Sequence, residues 1–307
     1  MKLPTVVIQG ATASGKTSLS VDLCHTLKDH GYPAEIVNAD SMLVYRGMDI
    51  GTAKPTMADR RGIPHHLIDI MNISDTASVV AFRDHAREAI TDCHHRDVIP
   101  VVVGGSALYL HAIVDILDFP PRNTDVRDRL QRDMESDGVC AMYAKLEALA
   151  PQAAATIGPA DSRRIIRALE ALELQGEFRS QLPAWRYELD GVIQIGLEIS
   201  RPAMDSRIEA RVGKMWELGF VNEVRGLLGR GLKDSPTASR AIGYLEILKY
   251  LDGELSEDEA KERTVIKTRQ FSRKQLSWWR RDTRITWVDA SVTASMLYAD
   301  LVPHLKV

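Results

Sequence analysis

One octapeptide limits what this chain can fold into more than any other feature. Residues 10–17 read Gly-Ala-Thr-Ala-Ser-Gly-Lys-Thr, which fits G-x-x-x-x-G-K-[ST], the spacing of a loop that wraps phosphate oxygens in backbone N–H groups. The β-branched run Thr5 to Gln9 precedes it, and an amphipathic stretch from Lys16 to about Asp29 follows. Strand, loop, helix is the context the pattern requires. Gly10 and Gly15 let amides turn inward, the helix start adds partial positive charge, Lys16 can reach a terminal phosphate, and Thr17 can bind the magnesium ion that accompanies it. The loop Gly10, Ala11, Thr12, Ala13, Ser14, Gly15, Lys16, Thr17 is thus the candidate phosphate site. The spacing leaves open whose phosphates it holds.

The rest of the chain extends this architecture. Glu35 to Asn38 and Val98 to Val103 read as further strands, with a helical pattern at Val79 to His94 between them. Val192 to Ile199 and Ile285 to Val288 read as later strands. Strands alternating with helices predict an α/β fold, a P-loop NTPase-like parallel sheet flanked by helices. From Pro120 to about Gln175 the periodicity is helical, with breaks near Pro121, Gly138, Pro151 and Pro159. Residues 118–190 are therefore expected to form a mostly helical insertion domain between two parts of a catalytic core, 1–117 and 191–307. Helices are expected at Asp205 to Leu228, Arg240 to Leu251 and Ser256 to Arg281.

Composition excludes several classes. The chain has 307 residues, 45% of them hydrophobic and 26% charged, an ordinary soluble balance. Cys24, Cys93 and Cys140 form no C-x-x-C pair, which argues against a zinc site or a disulfide framework and for a reducing cytoplasm. The start, Met1 to Val7, has no signal-peptide organisation, and no segment approaches the roughly 20 apolar residues of a membrane span. Nothing in the sequence demands more than a monomer. The net charge of −3 says little about nucleic acid, because the footprint of such binding is local.

Three further segments carry chemistry. In Asn38 to Pro55, NADSMLVYRGMDIGTAKP, Asp40 and Ser41 follow a strand's C-terminal end, where open α/β sheets place ligands. Asp40 fits a general base, a magnesium ligand or a helix cap, and the residues alone leave the three open. Arg46, Thr52 and Lys54 crowd polar groups into the same stretch, more than a structural loop is expected to need. In Val103 to Leu110, VGGSALYL, Ser106 can present a hydroxyl toward the first loop across the crevice, although Gly-Gly-Ser also makes tight turns. Between Lys261 and Arg284 nine Lys or Arg stand against Glu262 and Asp282, with Trp278, Trp279 and Trp287 within or beside them. That mixture suits RNA phosphates and stacking on unpaired bases; the alternative is a solvated face with core tryptophans. A second cluster, Arg163, Arg164 and Arg167, lies in the insertion.

In this order these blocks, with GIPHHLID, DSRRIIRALE, RVGKMWELGFVNEV, SRAIGYLEIL and TRQFSRKQLSWWRRDTRITWVD, resemble the bacterial tRNA dimethylallyltransferases over nearly the whole chain. The resemblance implies transfer of a dimethylallyl group from its diphosphate to N6 of the adenosine 3′ of the anticodon, in tRNAs reading codons that begin with U. It makes the loop a diphosphate cradle with Mg2+ at Thr17, Asp40 the general base, and Ser106 (where the family usually has Thr) and Arg211 groups at the reaction centre, with Arg207 one turn earlier as a competitor. It also implies tRNA contacts at Asp40, Ser41, Met42, Leu43, Ser106, Arg127, Asp161, Ser162, Arg163, Arg164, Ile165, Arg240, Arg273, Lys274 and Arg280. Ala11 stands for a common Pro, Leu43 for a common Gln and Ala107 for a common Gly, and none of these removes a catalytic group. The competing readings are a P-loop small-molecule kinase, which leaves the basic C-terminal half unexplained, an adenylate isopentenyltransferase acting on free nucleotide, and a noncatalytic RNA-binding protein.

Overall fold

The β-branched runs pair as parallel strands. In the computed structural model, which describes residues 3–178 and 185–305, β1 (Thr5–Gly10), β2 (Ala34–Asn38), β3 (His65–His66), β4 (Ile99–Gly104), β5 (Val192–Glu198) and β6 (Thr286–Asp289) form one sheet of order β3-β2-β4-β1-β5-β6. Every pairing is parallel, with Val6 opposite Val101 on one side of β1 and Ile193 on the other. The helices are α1 (Lys16–Asp29), α2 (Met57–Arg60), α3 (Val79–His95), α4 (Ala107–Val114), α5 (Thr124–Leu149), α6 (Pro151–Ile157), α7 (Ser162–Gln175), α8 (Arg201–Glu217), α9 (Phe220–Leu228), α10 (Tyr244–Leu251), α11 (Glu257–Trp279) and α12 (Ala294–Leu305).

The strands read as continuous apolar runs because both faces are covered. Val6 and Ile8 join Val101 and Val103 on one face, packed by Leu19, Leu23 and Leu27 of α1 and Leu297, Leu301 and Leu305 of α12. Val7, one residue out of phase, turns to the other face with Val37 and Val102, beneath Phe82, Ala86 and Ile90 of α3 and Phe220 and Tyr244 of α9 and α10.

Several elements differ from the sequence expectation, the short α2 among them. β3 has two residues, too few to leave a periodicity signal. The stretch Asp205 to Leu228 is two helices, because Gly219 takes φ +93° between them. α10 begins at Tyr244, after Gly243 at φ +89°, whose N–H donates to Glu246. α12 lies beyond the last element expected.

The chain divides into two compact units, Met1–Asp115 with Tyr187–Val307, and Ile116–Arg186. The second is helical and has its own core of Leu130, Leu146, Ile165 and Leu169, with α5 interrupted at Gly138 (φ +82°). In its centre the buried carboxylate of Glu170 receives Arg127, Arg167 and the Asn123 N–H. Burial pushes that carboxyl up, but the hydrogen bonds and charges of these partners outweigh it and hold it below the ordinary carboxylate range.

Candidate active site

The strand order switches direction at β1 and β4, and open sheets bind ligands at such a point, beyond the strands' carboxyl ends. Three loops meet there. The loop after β1 turns through Ala13 at φ +66° and Gly15 at φ +95°, with the Ser14 N–H donating to the Ala11 carbonyl at 3.2 Å. Gly10 is required by space, since a Cβ there would sit 2.9 Å from Ser14 Oγ. Lys16 opens α1, and its Nζ reaches the Ala11 carbonyl at 3.3 Å. Burial draws the Lys16 ammonium down to about 8; the charge of Asp40 opposes that shift and the charge of Arg211 adds to it. Lysine, carboxylate and guanidinium thus share one field. Thr17 is exposed in the first turn of α1.

The second loop is held by its own polar groups. The Asp40 N–H donates to Asn38 Oδ1 at 2.8 Å, and Asp40 Oδ1 accepts the Met42 N–H at 2.9 Å. No helix follows Asp40, so the helix-cap reading does not apply: residues 41–44 form turns, and the Met42 contact closes a turn with one carboxylate oxygen. The polar excess further along is structural, contrary to expectation. Lys54 is buried and donates to the Tyr45 carbonyl, Asp49 and Asp69, while Arg46 donates to Asn72. Glu223 of α9, which the sequence reading passed over, accepts the N–H groups of Asp49, Ile50 and Gly51 at 2.6 to 3.2 Å, with the Tyr244 hydroxyl also donating to it.

The third loop carries Ser106 at the start of α4. Its Oγ lies 3.4 Å from both the backbone N and the Oγ of Ser41, so it faces the second loop, where the sequence reading had it facing the first. Gly104 and Gly105 keep negative φ and owe their identity to close approach. A Cβ on Gly104 would stand 2.5 Å from the Ala39 carbonyl oxygen, and one on Gly105 would stand 2.6 Å from Gln275 Nε2.

Asp40, Lys16, Thr17, Asn38, Leu43, Thr52 and Arg211 line one small cavity floored by Val103 and Gly104. Beside it opens a cavity of about 930 Å³ that shares Lys16, Thr17 and Arg211 and adds Arg207, Lys214 and Arg61. Of the two competing arginines, Arg211 lines both spaces and donates to the Thr52 carbonyl at 3.1 Å. Arg207 lines the outer one and reaches the Ser14 carbonyl at 3.4 Å. His65, also missed, forms part of the inner wall. Its Nδ1 donates to the Ile63 carbonyl at 2.8 Å, which leaves Nε2 with a lone pair, and burial lowers its pKa.

The residues expected to meet RNA fare unequally. Arg240, Arg273, Lys274 and Arg280 are exposed. Arg273 lies 3.5 Å from Asp205, and Arg280 pairs with Glu198 at 2.9 Å. Lys267, Arg269 and Arg284 are also paired, so much of the apparent excess of charge is locally neutralised. Of the two readings open for the tryptophans, Trp279 follows the core one, being 1% exposed, while Trp278 and Trp287 are half-buried against the same core. In the helical unit Asp161 caps α7 by accepting the Arg164 N–H, Ser162, Arg163 and Arg164 are exposed, and Ile165 is fully buried and offers no side-chain surface. Arg127 donates to Glu170 at 2.7 Å.

The family model described as IPP transferase matches residues 43–282. A tRNA dimethylallyltransferase of Thermobifida fusca is 50% identical over 304 residues, 97% of this chain and 94% of that one. One from Cutibacterium acnes is 48% identical over 290 residues, covering 94% and 91%. The tRNA isopentenylpyrophosphate transferase of Bacillus halodurans superposes with a TM-score of 0.72 at 37% identity, covering 99% of this chain and 97% of that one. A eukaryotic dimethylallyltransferase acting on tRNA gives a TM-score of 0.75 at 25% identity, covering 99% and 81%.

Proposed function

Because the chain belongs to the IPP transferase family, the tRNA dimethylallyltransferases, we propose that it transfers a dimethylallyl group from dimethylallyl diphosphate to N6 of the adenosine 3′-adjacent to the anticodon, in tRNAs reading U-starting codons. The observation that carries this reading is the cavity where Asp40, Lys16 and Arg211 meet beyond the phosphate loop. The N6–carbon bond forms as the carbon–oxygen bond to the diphosphate breaks, and the proton lost from N6 passes to Asp40. An adenine amine is a weak nucleophile, so an acceptor at hand matters. The electron pair departs with the diphosphate, whose growing charge is met by Lys16, Arg211, the loop amides and the start of α1. Ser106 and Ser41, 3.4 Å apart, offer hydroxyls beside the acceptor base.

The loop end of the cavity fits a divalent ion, since the Thr17 hydroxyl is exposed beside it. Mg2+ held there through the diphosphate would neutralise part of the leaving group's charge. The exposed cations of α11 and of the helical unit, Arg163 and Arg164 among them, serve the anticodon stem-loop together with the half-buried Arg127, and the enzyme works as a cytoplasmic monomer. No helix among the described residues is long and apolar enough to cross a membrane.

The kinase reading would need a triphosphate donor. Incubation with labelled dimethylallyl diphosphate, offering tRNA and AMP in parallel, separates the readings: label enters tRNA in a magnesium-dependent way. Label on AMP and not on tRNA, or phosphoryl transfer from ATP to a small acceptor, would overturn the assignment.

A further inference from the structure

One side chain joins two of the three loops. Gln275 is 5% exposed on α11, and its Oε1 accepts the Thr12 N–H at 3.0 Å while its Nε2 donates to the Gly105 carbonyl at 2.8 Å. A backbone N–H only donates and a carbonyl only accepts, so the amide's orientation is fixed by its partners. The pairing also restricts residue type. A glutamate would set a carboxylate against the Gly105 carbonyl, a lysine has no acceptor for Thr12, and an asparagine is one methylene short. The space was kept for this group, since a Cβ on Gly105 would lie 2.6 Å from Nε2.

Gln275 shares the buried face of α11 with Ser272 and Trp279, whereas its neighbours Arg273 and Lys274 are exposed. One helix therefore carries solvent-facing cations and, on its opposite side, the pin of the phosphate loop. We infer that Gln275 is a positioning residue that holds the phosphate loop and the Gly104–Gly105 turn in register for the diphosphate, and links RNA docking on α11 to donor affinity. This inference rests on the proposed prenyl transfer to tRNA. By reciprocity, whatever factor RNA adds to donor binding, the donor adds to RNA binding.

The test is the Kd of dimethylallyl diphosphate, by calorimetry, with and without an anticodon stem-loop. Wild-type protein should bind the donor about fivefold or more tightly when the RNA is present. In Gln275→Leu the Kd for donor alone should rise about 10- to 30-fold, the size that loss of two neutral hydrogen bonds gives. The tightening by RNA should vanish, and the Kd for RNA alone should stay within about twofold, as expected for a side chain that does not face the RNA. Gly105→Ala drives the amide away from the opposite end. Its Cβ would also stand 3.1 Å from the Gly10 carbonyl oxygen, so combined with Gln275→Leu it should add only the cost of that second contact and fall short of the sum of the two single losses. A donor Kd unchanged in both variants, a wild-type donor Kd indifferent to RNA, or equal losses in donor and RNA binding would overturn the inference. Wild-type protein that binds no dimethylallyl diphosphate at all would instead overturn the functional reading beneath it.

Discussion

The phosphate loop and the basic helix α11 both stand out in the sequence, and they keep their promises differently. The loop's chemistry is made by backbone: Gly15 takes a left-handed turn at a motif glycine, Ala13 takes another that the glycine spacing does not mark, and Lys16 opens the helix where the motif puts it. α11 stands out only by composition, and composition does not say which way side chains point. Its tryptophans go inward to the core, and several of its cations meet carboxylates of α8, α10 and β5. A spacing motif constrains dihedral angles and so survives folding intact. An excess of one residue type is divided between interior and surface by the helical period.

That contrast can be broken experimentally, beginning where the effect is largest. The proposed base, Asp40, also closes a turn by accepting the Met42 N–H, and two substitutions separate the two roles. Asp40→Asn keeps an oxygen for the Met42 N–H, whereas Asp40→Ala removes it. Both should lower kcat by about 10²- to 10⁴-fold in single-turnover assays while tRNA binding persists. Activity retained in Asn but not in Ala would assign Asp40 to the turn alone. On the α11 side, Trp279→Ala should destabilise the fold by about 3–5 kcal/mol in denaturant unfolding, the cost of emptying a packed site. A loss confined to tRNA affinity would return that ring to the RNA.

A pH series sharpens the loop side. Lys16, drawn from 10.5 to about 8, is charged below that value and neutral above it. Diphosphate affinity should be nearly full at pH 7 and about thirtyfold weaker by pH 9.5, and Lys16→Met should flatten the profile. Stability without ligand runs the other way. The half-buried lysine releases its proton before the unfolded chain does, so stability should rise between about pH 8 and 10.5. The smallest effect is expected at Lys274, exposed and without an ion pair among the described residues. Lys274→Ala should weaken tRNA binding several-fold, lower the slope of log K against log salt by about 0.7 to 1, and leave stability within about 0.5 kcal/mol.

Legibility followed the same physics. β1, β2, β4 and β5 could be read because parallel strands covered on both faces need continuous apolar runs, and the phosphate loop because its spacing is local. Asp40 and Ser106 could be named from strand ends. The Ser106 hydroxyl's true neighbour, Ser41, lies 65 residues away and depends on the pairing of β2 with β4. Glu223 and Gln275 looked like ordinary helix residues, since what marks them is the backbone they meet from a distance. Gln275 had one faint signal, a polar residue on the same helical face as Ser272 and Trp279. Lys54 misled in the other direction, because a lysine spent inside a loop looks in sequence like a lysine offered to a ligand.

The span of the Gln275 contact has a consequence in time. Thr12 and Gln275 lie 263 residues apart, so at about 5–20 residues per second a ribosome needs roughly 13 to 50 seconds to supply the second after the first. Glu223, which gathers the amides of Asp49 to Gly51, arrives 173 residues after Ile50. A nascent chain thus carries its phosphate-binding motif long before the parts that set it. Competence comes late in synthesis, and a chain cut short keeps the signature of the enzyme without its catalytic geometry.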